Sequence, residues 1–153
     1  MPNLEHRVPP PIVGLLLALA MWLLAKLPPV FHLATWLREG LALLLVAGGV
    51  TFDALGLLAF VRQRTTVNPL HPENASALVT GGVYRVTRNP MYVGMALLLT
   101  AWAVDLSAAW PFLGPVAFVL YMNRFQIAPE ERALGARFGA SWTAYAARVR
   151  RWL

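Results

Sequence analysis

Apolar residues fall into four long blocks: Ile12 to Leu27, Leu41 to Val61, Met91 to Val104 and Trp110 to Phe125. Blocks of this kind predict helices that cross a bilayer. Only the second, at 21 residues, reaches about 31 Å and so matches a hydrocarbon core of about 30 Å. The other three must extend past their apolar limits, thin the bilayer locally, or pack as a short hairpin. Only a polar turn around Asp105 and Ser107 separates the third block from the fourth, which predicts antiparallel neighbours. Pro111 suits a first helical turn, whereas Pro115 lies deeper and predicts a kink in the fourth helix.

Beyond the fourth block the pattern changes. Leu134, Phe138, Trp142, Tyr145, Val149 and Trp152 recur every three or four residues, predicting one amphipathic helix from Glu130 onward with Arg132, Arg137, Ser141, Arg148 and Arg151 on its other face. Such a helix anchors at headgroup level, packs on the cytoplasmic face of the bundle, or does both. Between the second and third blocks, Pro69, Pro72, Gly81 and Gly82 break any long helix, leaving an ordered irregular segment.

Composition sharpens this reading. The chain has 153 residues, 58% of them apolar and 13% charged, against about 25% charged in soluble domains. The expected class is a single-domain, all-α integral membrane protein spanning residues 1–153, with about four transmembrane helices, a C-terminal helical hairpin and a cytoplasmic amphipathic helix. Four crossings divide the basic residues unevenly. Arg7, Arg62, Arg64, Arg85, Arg88, Arg124, Arg132, Arg137, Arg148, Arg150 and Arg151 share one side, while Lys26 and Arg38 lie on the other. The positive-inside rule then places both termini and the loop before the third helix in the cytoplasm; the expected membrane is a bacterial inner membrane. The weakly basic start lacks a small-residue cleavage site, so the first block reads as a retained helix.

Several chemistries drop out. There is no cysteine, which removes disulfides, thiolate nucleophiles and Cys-ligated zinc. His6, His32 and His71 lie far apart without a carboxylate cluster, so no metal site is expected. The net charge of +6 is divided by membrane side rather than forming a stripe interleaved with aromatics, so nucleic acid is not an expected partner. Gly48, Gly49 and Gly56 read as sites of close helix packing. Asp53, inside the second block, is either functional or structurally paired, with Thr51 or a polar group of a neighbouring helix as its partner.

The stretch GGVYRVTRNPMYVG, Gly81 to Gly94, sets two arginines and an Asn-Pro directly before an apolar block, where water, headgroups or a ligand must meet them. The hairpin brings Arg85, Arg88, Asn89 and Tyr92 toward Asn123, Arg124, Gln126, Glu130 and Glu131. This is one polar pocket at the membrane surface, suited to a zwitterionic small molecule meeting an apolar partner. The competing reading is ordinary interfacial arginines beside an acidic helix start.

The run LVTGGVYRVTRNPMYVG, followed by NRFQIAPEERALGARFGASWTAYAARVRRWL, resembles the isoprenylcysteine carboxyl methyltransferase family and its bacterial relatives, which are related to phospholipid methyltransferases. The likeness covers about residues 65 to 153. It implies S-adenosyl-L-methionine bound at the cytoplasmic end of the bundle and a lipophilic acceptor arriving from the bilayer. Leu78, Val79, Tyr84, Arg88, Asn89, Pro90, Met91, Tyr92 and Glu130 would form the cofactor site. Asn89 stands where the eukaryotic enzymes have His, so no general base is expected there. From side-chain chemistry, Arg124 could hold an acceptor carboxylate and Glu131 could take the proton of an acceptor amine. Arg85, Arg88 and Arg124 outweigh the carboxylates at the rim, favouring lipophilic carboxylates over amines. Alternatives are a phospholipid N-methyltransferase, an NADPH-dependent membrane reductase and a non-catalytic membrane subunit.

Overall fold

The computed structural model describes residues 5, 7–63 and 77–153, and these are helical apart from turns and links. The helices are α1 (Pro10–Leu24), α2 (Thr35–Gln63), α3 (Pro90–Leu106), α4 (Leu113–Met122), α5 (Ala128–Phe138) and α6 (Ala140–Ala146). Short 3-10 turns at Gly82–Arg85 and Trp110–Phe112 precede α3 and α4. His6, Arg64, Pro69, His71 and Pro72, on which part of the sequence reading rests, lie outside the described residues.

Each of the four apolar blocks forms a helix, and α3 turns back into α4 at Ser107, whose φ of 52° closes the hairpin. Of the expected crossings, one helix among the described residues is long and apolar enough to span a membrane, over Thr35–Arg62 with mean hydropathy 2.1. The helices α1 and α3 are apolar but only 15 and 17 residues long, or about 22 and 25 Å at 1.5 Å per residue. Four crossings therefore do not follow from helix length.

α2 and α3 meet backbone to backbone. A Cβ on Gly94 would lie 2.6 Å from Asp53 Cγ and 2.7 Å from Gly49 O, and one on Gly49 would lie 2.9 Å from Gly94 O. Contacts this short leave room for hydrogen atoms only. Gly56 likewise abuts Met91. Thr51 does not pair with Asp53. Its hydroxyl donates to Ala47 O at 2.7 Å, the common back-bond of a helical threonine, and Asp53 Oδ1 is buried without a hydrogen-bond partner. α1 completes the bundle against α3 and α4, with Trp102 Nε1 donating to Ala18 O at 3.1 Å. Val13, Met21, Tyr92, Leu99, Phe118, Met122 and Ile127 form the core between them.

The links α1–α2 and α3–α4 share one end. Phe31 N–H donates to Ser107 O, Trp110 Nε1 donates to Pro28 O, and Arg38 faces Asp105 at 3.8 Å. The start of α3 and the end of α4 share the other.

At that other end the structure departs from the sequence reading twice. The fourth helix is distorted at Asn123–Ile127, which is π-helical, and Ala128 N–H reaches back five residues to Asn123 O. Pro129 accounts for this: its ring excludes the carbonyl four residues earlier and it has no N–H to give. Pro115 instead falls in the first turn of α4, where proline is tolerated. The expected amphipathic helix is also broken. Gly139, with φ 51° and ψ −122°, ends α5 and turns the chain into the short α6, which stops at Ala146.

Candidate active site

Gly82, at φ 60°, opens the 3-10 turn that buries Tyr84. The Tyr84 ring meets Phe60 of α2 edge-on at 5.6 Å, and its carbonyl accepts the Tyr145 hydroxyl of α6 at 2.7 Å. Val79, Tyr84 and Tyr145 form a second apolar cluster, flanked by Leu78, Phe60, Trp142 and Val149. Three residues that the resemblance places at the cofactor therefore share one wall.

Thr87 is fully buried. Its hydroxyl accepts Asn89 N–H at 3.2 Å and donates to Arg151 O at 3.1 Å. Asn89 Nδ2 donates to the same carbonyl at 2.9 Å, and Arg88 N–H donates to Arg150 O at 2.9 Å. Asn89 therefore precedes α3 without capping it, and Pro90 takes the first position, where no N–H is needed. Pro90 is buried and Met91 lies on Gly56.

Consecutive carboxylates have opposite surroundings. Glu131 bridges two guanidiniums: Arg88 Nη2 at 3.1 Å, and Arg151, whose Nε lies at 3.1 Å and whose Nη2 contacts the other carboxylate oxygen. Trp142 also lies 5.6 Å from the Arg88 guanidinium. Glu130, by contrast, accepts one hydrogen bond, from Tyr92 OH at 2.6 Å. Among the described residues no cation pairs with it. Burial pushes its carboxyl up from 4.5 to about 8, against the Tyr92 hydrogen bond and with a smaller push from Glu131. Tyr84 is also pushed up, first by burial and then by the nearby Tyr145 and Glu130.

Arg124 stands apart from this group. Its side chain is 65% exposed and pairs with Glu5 at 3.3 Å, and Glu5 also receives Arg132 at 2.8 Å. Arg85 is exposed. The structure thus gathers Tyr92 with Glu130, Arg88 with Glu131, and Leu78 and Val79 with Tyr84, while Arg124 lies on a separate exposed pair. Two contributors escaped the sequence reading. In the sequence Arg151 enters only through the charge division and a polar helix face, and Thr87 carries no signal of its own. Pro129, three residues after Gln126 in an otherwise helical run, was the available sign of a distorted helix.

A phospholipid methyltransferase family model matches residues 37–141, which takes in α2, α3, α4 and the Glu130–Glu131 pair. An uncharacterized protein of Haemophilus influenzae is 43% identical over 63 residues, covering 41% of this chain and all of that protein. Proteins of Oryza sativa subsp. indica and subsp. japonica, each named probable protein-S-isoprenylcysteine O-methyltransferase, are 34% identical over 119 residues, or 74% of this chain. The chain spans 60% of the length of these rice relatives. No solved structure matches. The chain belongs to the phospholipid methyltransferase family.

Proposed function

We propose that this protein is an S-adenosyl-L-methionine-dependent methyltransferase that acts on a lipophilic acceptor at a membrane, of the isoprenylcysteine carboxyl O-methyltransferase type. The observation that carries the proposal is Glu130: a shielded carboxylate that holds a tyrosine hydroxyl and, among the described residues, no cation. Such a group is relieved by a positively charged ligand. The donor set fits this cofactor, with Glu130 and Tyr92 as its polar contacts and Leu78, Val79 and Tyr84 as an apolar wall, and Asn89, Pro90 and Met91 completing the site. Arg88 belongs to it through Glu131. When bound, S-adenosylmethionine supplies an electrophilic methyl group on a sulfonium. Transfer of that group requires positioning and exclusion of water more than a strong acid or base, so the residues need not include a catalytic triad.

The acceptor reading rests on the names of the rice relatives and on Arg124. Its contact with Glu5 is exposed, so an acceptor carboxylate can replace Glu5 at small cost. The charge argument from sequence loses force at Arg88, which Glu131 already neutralises. Glu131, held by two arginines, acts as an anchor in this proposal rather than as a proton acceptor.

The apolar exterior supports a membrane setting. Leu15 and Leu43 are 71% and 70% exposed, and only 11% of the apolar window of α2 is buried. Lys26 lies 4.2 Å from the Trp22 ring at the end opposite the site, an arrangement suited to a membrane–water boundary. The site end is assigned to the cytoplasm on the charge division. Reporter fusions at Arg64 and after Asp105 should report opposite sides, with Arg64 cytoplasmic.

Titrating the purified protein with S-adenosylmethionine and with NADPH tests the core of the proposal: binding of the first and not the second is expected, and the reverse overturns it. Labelled methyl transfer to lipophilic carboxylates and to phosphatidylethanolamine-like amines tests the acceptor. Methylation confined to amines overturns the carboxylate reading.

A further inference from the structure

The segment Arg148–Leu153 lies across the Thr87–Asn89 turn, and three donors of that turn bond to it. Arg150 O takes the Arg88 N–H, while Arg151 O takes both the Thr87 hydroxyl and the Asn89 amide. The Arg151 side chain then reaches Glu131 on α5 with a two-point contact, a geometry that fixes orientation as well as distance. Trp152 Nε1 donates to Asn123 Oδ1 at 3.0 Å, in the π-helical stretch between α4 and α5. One short segment thus ties the turn before α3 to both sides of the helix distortion. Glu130, one residue from the anchored Glu131, meets Tyr92 of α3 across this same junction.

We propose that Arg151 is a positioning residue for the cofactor site: by cross-linking the Thr87–Asn89 turn to Glu131, it holds Glu130 and Tyr92 in register. The proposal rests on the methyltransferase reading for its ligand, but the clasp itself does not. The Arg151 side chain makes its hydrogen bonds to Glu131 and none to the Glu130–Tyr92 pair, so it acts through Glu131 and the turn. A lysine at this position keeps the charge and loses the fork, which separates orientation from simple neutralisation of Glu131.

The test uses the full chain in detergent, comparing Arg151→Ala, Arg151→Lys and Arg148→Ala with the unaltered protein. Arg148 is the control, exposed, with its side chain bonded one turn back, to Ala144 O at 3.1 Å. Hydrogen exchange at the Arg88 amide reads the clasp without any ligand, and calorimetry with S-adenosylmethionine reads the site. Arg151→Ala should speed Arg88 exchange and weaken binding, each about tenfold, a change equivalent to losing one charge-assisted contact. Arg151→Lys should recover part of both losses, and Arg148→Ala should change neither. Unaltered exchange in Arg151→Ala, or faster exchange with unaltered binding, overturns the proposal. If Arg151→Ala does not fold, Arg151→Lys decides: weakening of about threefold or more with helical content intact supports it, and unaltered affinity overturns it. If the unaltered protein binds no S-adenosylmethionine, the methyltransferase reading fails, and Arg88 exchange alone decides whether the clasp exists.

Discussion

The seam between α2 and α3 and the polar end of the bundle hold helices together in opposite ways. At the seam the working parts are absences: Gly49, Gly56 and Gly94 present no side chain, and their backbone meets backbone or the side chains of Leu98, Met91 and Asp53 directly. At the polar end the working parts are long side chains, with Glu131, Arg88 and Arg151 spanning gaps that the backbone leaves open. A seam of the first kind has one solution and no slack. A network of the second kind has several members, and losing one leaves the others in place, so its failures should be graded and confined to the site.

The largest expected effect follows at the seam. Gly94→Leu must displace Asp53 Cγ and Gly49 O, and overpacking of this kind costs about 1–3 kcal/mol or more. Size-exclusion profiles and melting curves in detergent should show loss of the folded species, and a folded, monodisperse variant would break the comparison.

At the polar end the fold should survive while binding falls. Glu130→Ala should weaken S-adenosylmethionine binding about a hundredfold, and Tyr92→Phe, which removes the hydrogen bond to Glu130, about tenfold. Calorimetry beside circular dichroism separates these losses from unfolding. Wild-type affinity in both variants would remove the pair from the site.

A smaller effect is expected with pH. Glu130 has its carboxyl raised from 4.5 to about 8 in the fold, so the folded state binds this proton more tightly than the unfolded chain. Its stabilising contribution is complete below about pH 4.5 and is lost as pH rises through about 8. Glu130→Gln removes that dependence. Melting of the ligand-free proteins at pH 5, 7 and 9 should show the variant gaining on the parent as pH rises, and parallel profiles would show that Glu130 is not shielded as described.

The smallest effect returns to the seam as its control. A Cβ on Gly48 would lie 3.6 Å from Leu97, an ordinary contact. Gly48→Ala should therefore be neutral or stabilise by up to about 1 kcal/mol through helix propensity. A Gly48→Ala penalty as large as that of Gly94→Leu, read in the same melts, would erase the distinction between tight and loose glycines.

Much of this was legible in the sequence. Long apolar blocks give helices wherever they lie, and Asp105 with Ser107 marks the hairpin because little else interrupts the third and fourth blocks. Gly49 and Gly56 were legible for the same reason, since in an apolar helix a glycine has few other uses, whereas Gly48, read alike, meets only an ordinary contact and Gly94 is visible as a seam residue in the structure alone. The polar end was legible in residue type and not in arrangement. Trp142, Tyr145, Val149 and Trp152 keep helical spacing across the break at Gly139 and beyond the end of α6, because they fill apolar clusters from different elements. Which arginine meets which glutamate depends on backbone carbonyls more than sixty residues away in the chain, and periodicity carries no trace of those.

The π-helical stretch bears on how this chain should be aligned with its relatives. A π-bulge amounts to one extra residue in an α-helix, and each residue advances a helix by about 100°. A relative lacking that residue would present a different member of its Glu-Glu pair toward α3 while the letters still matched column for column. For this chain, carboxylates should be equated by the face of α5 they occupy, with a one-residue gap allowed between Asn123 and Ile127, before any role is transferred from one sequence to the other.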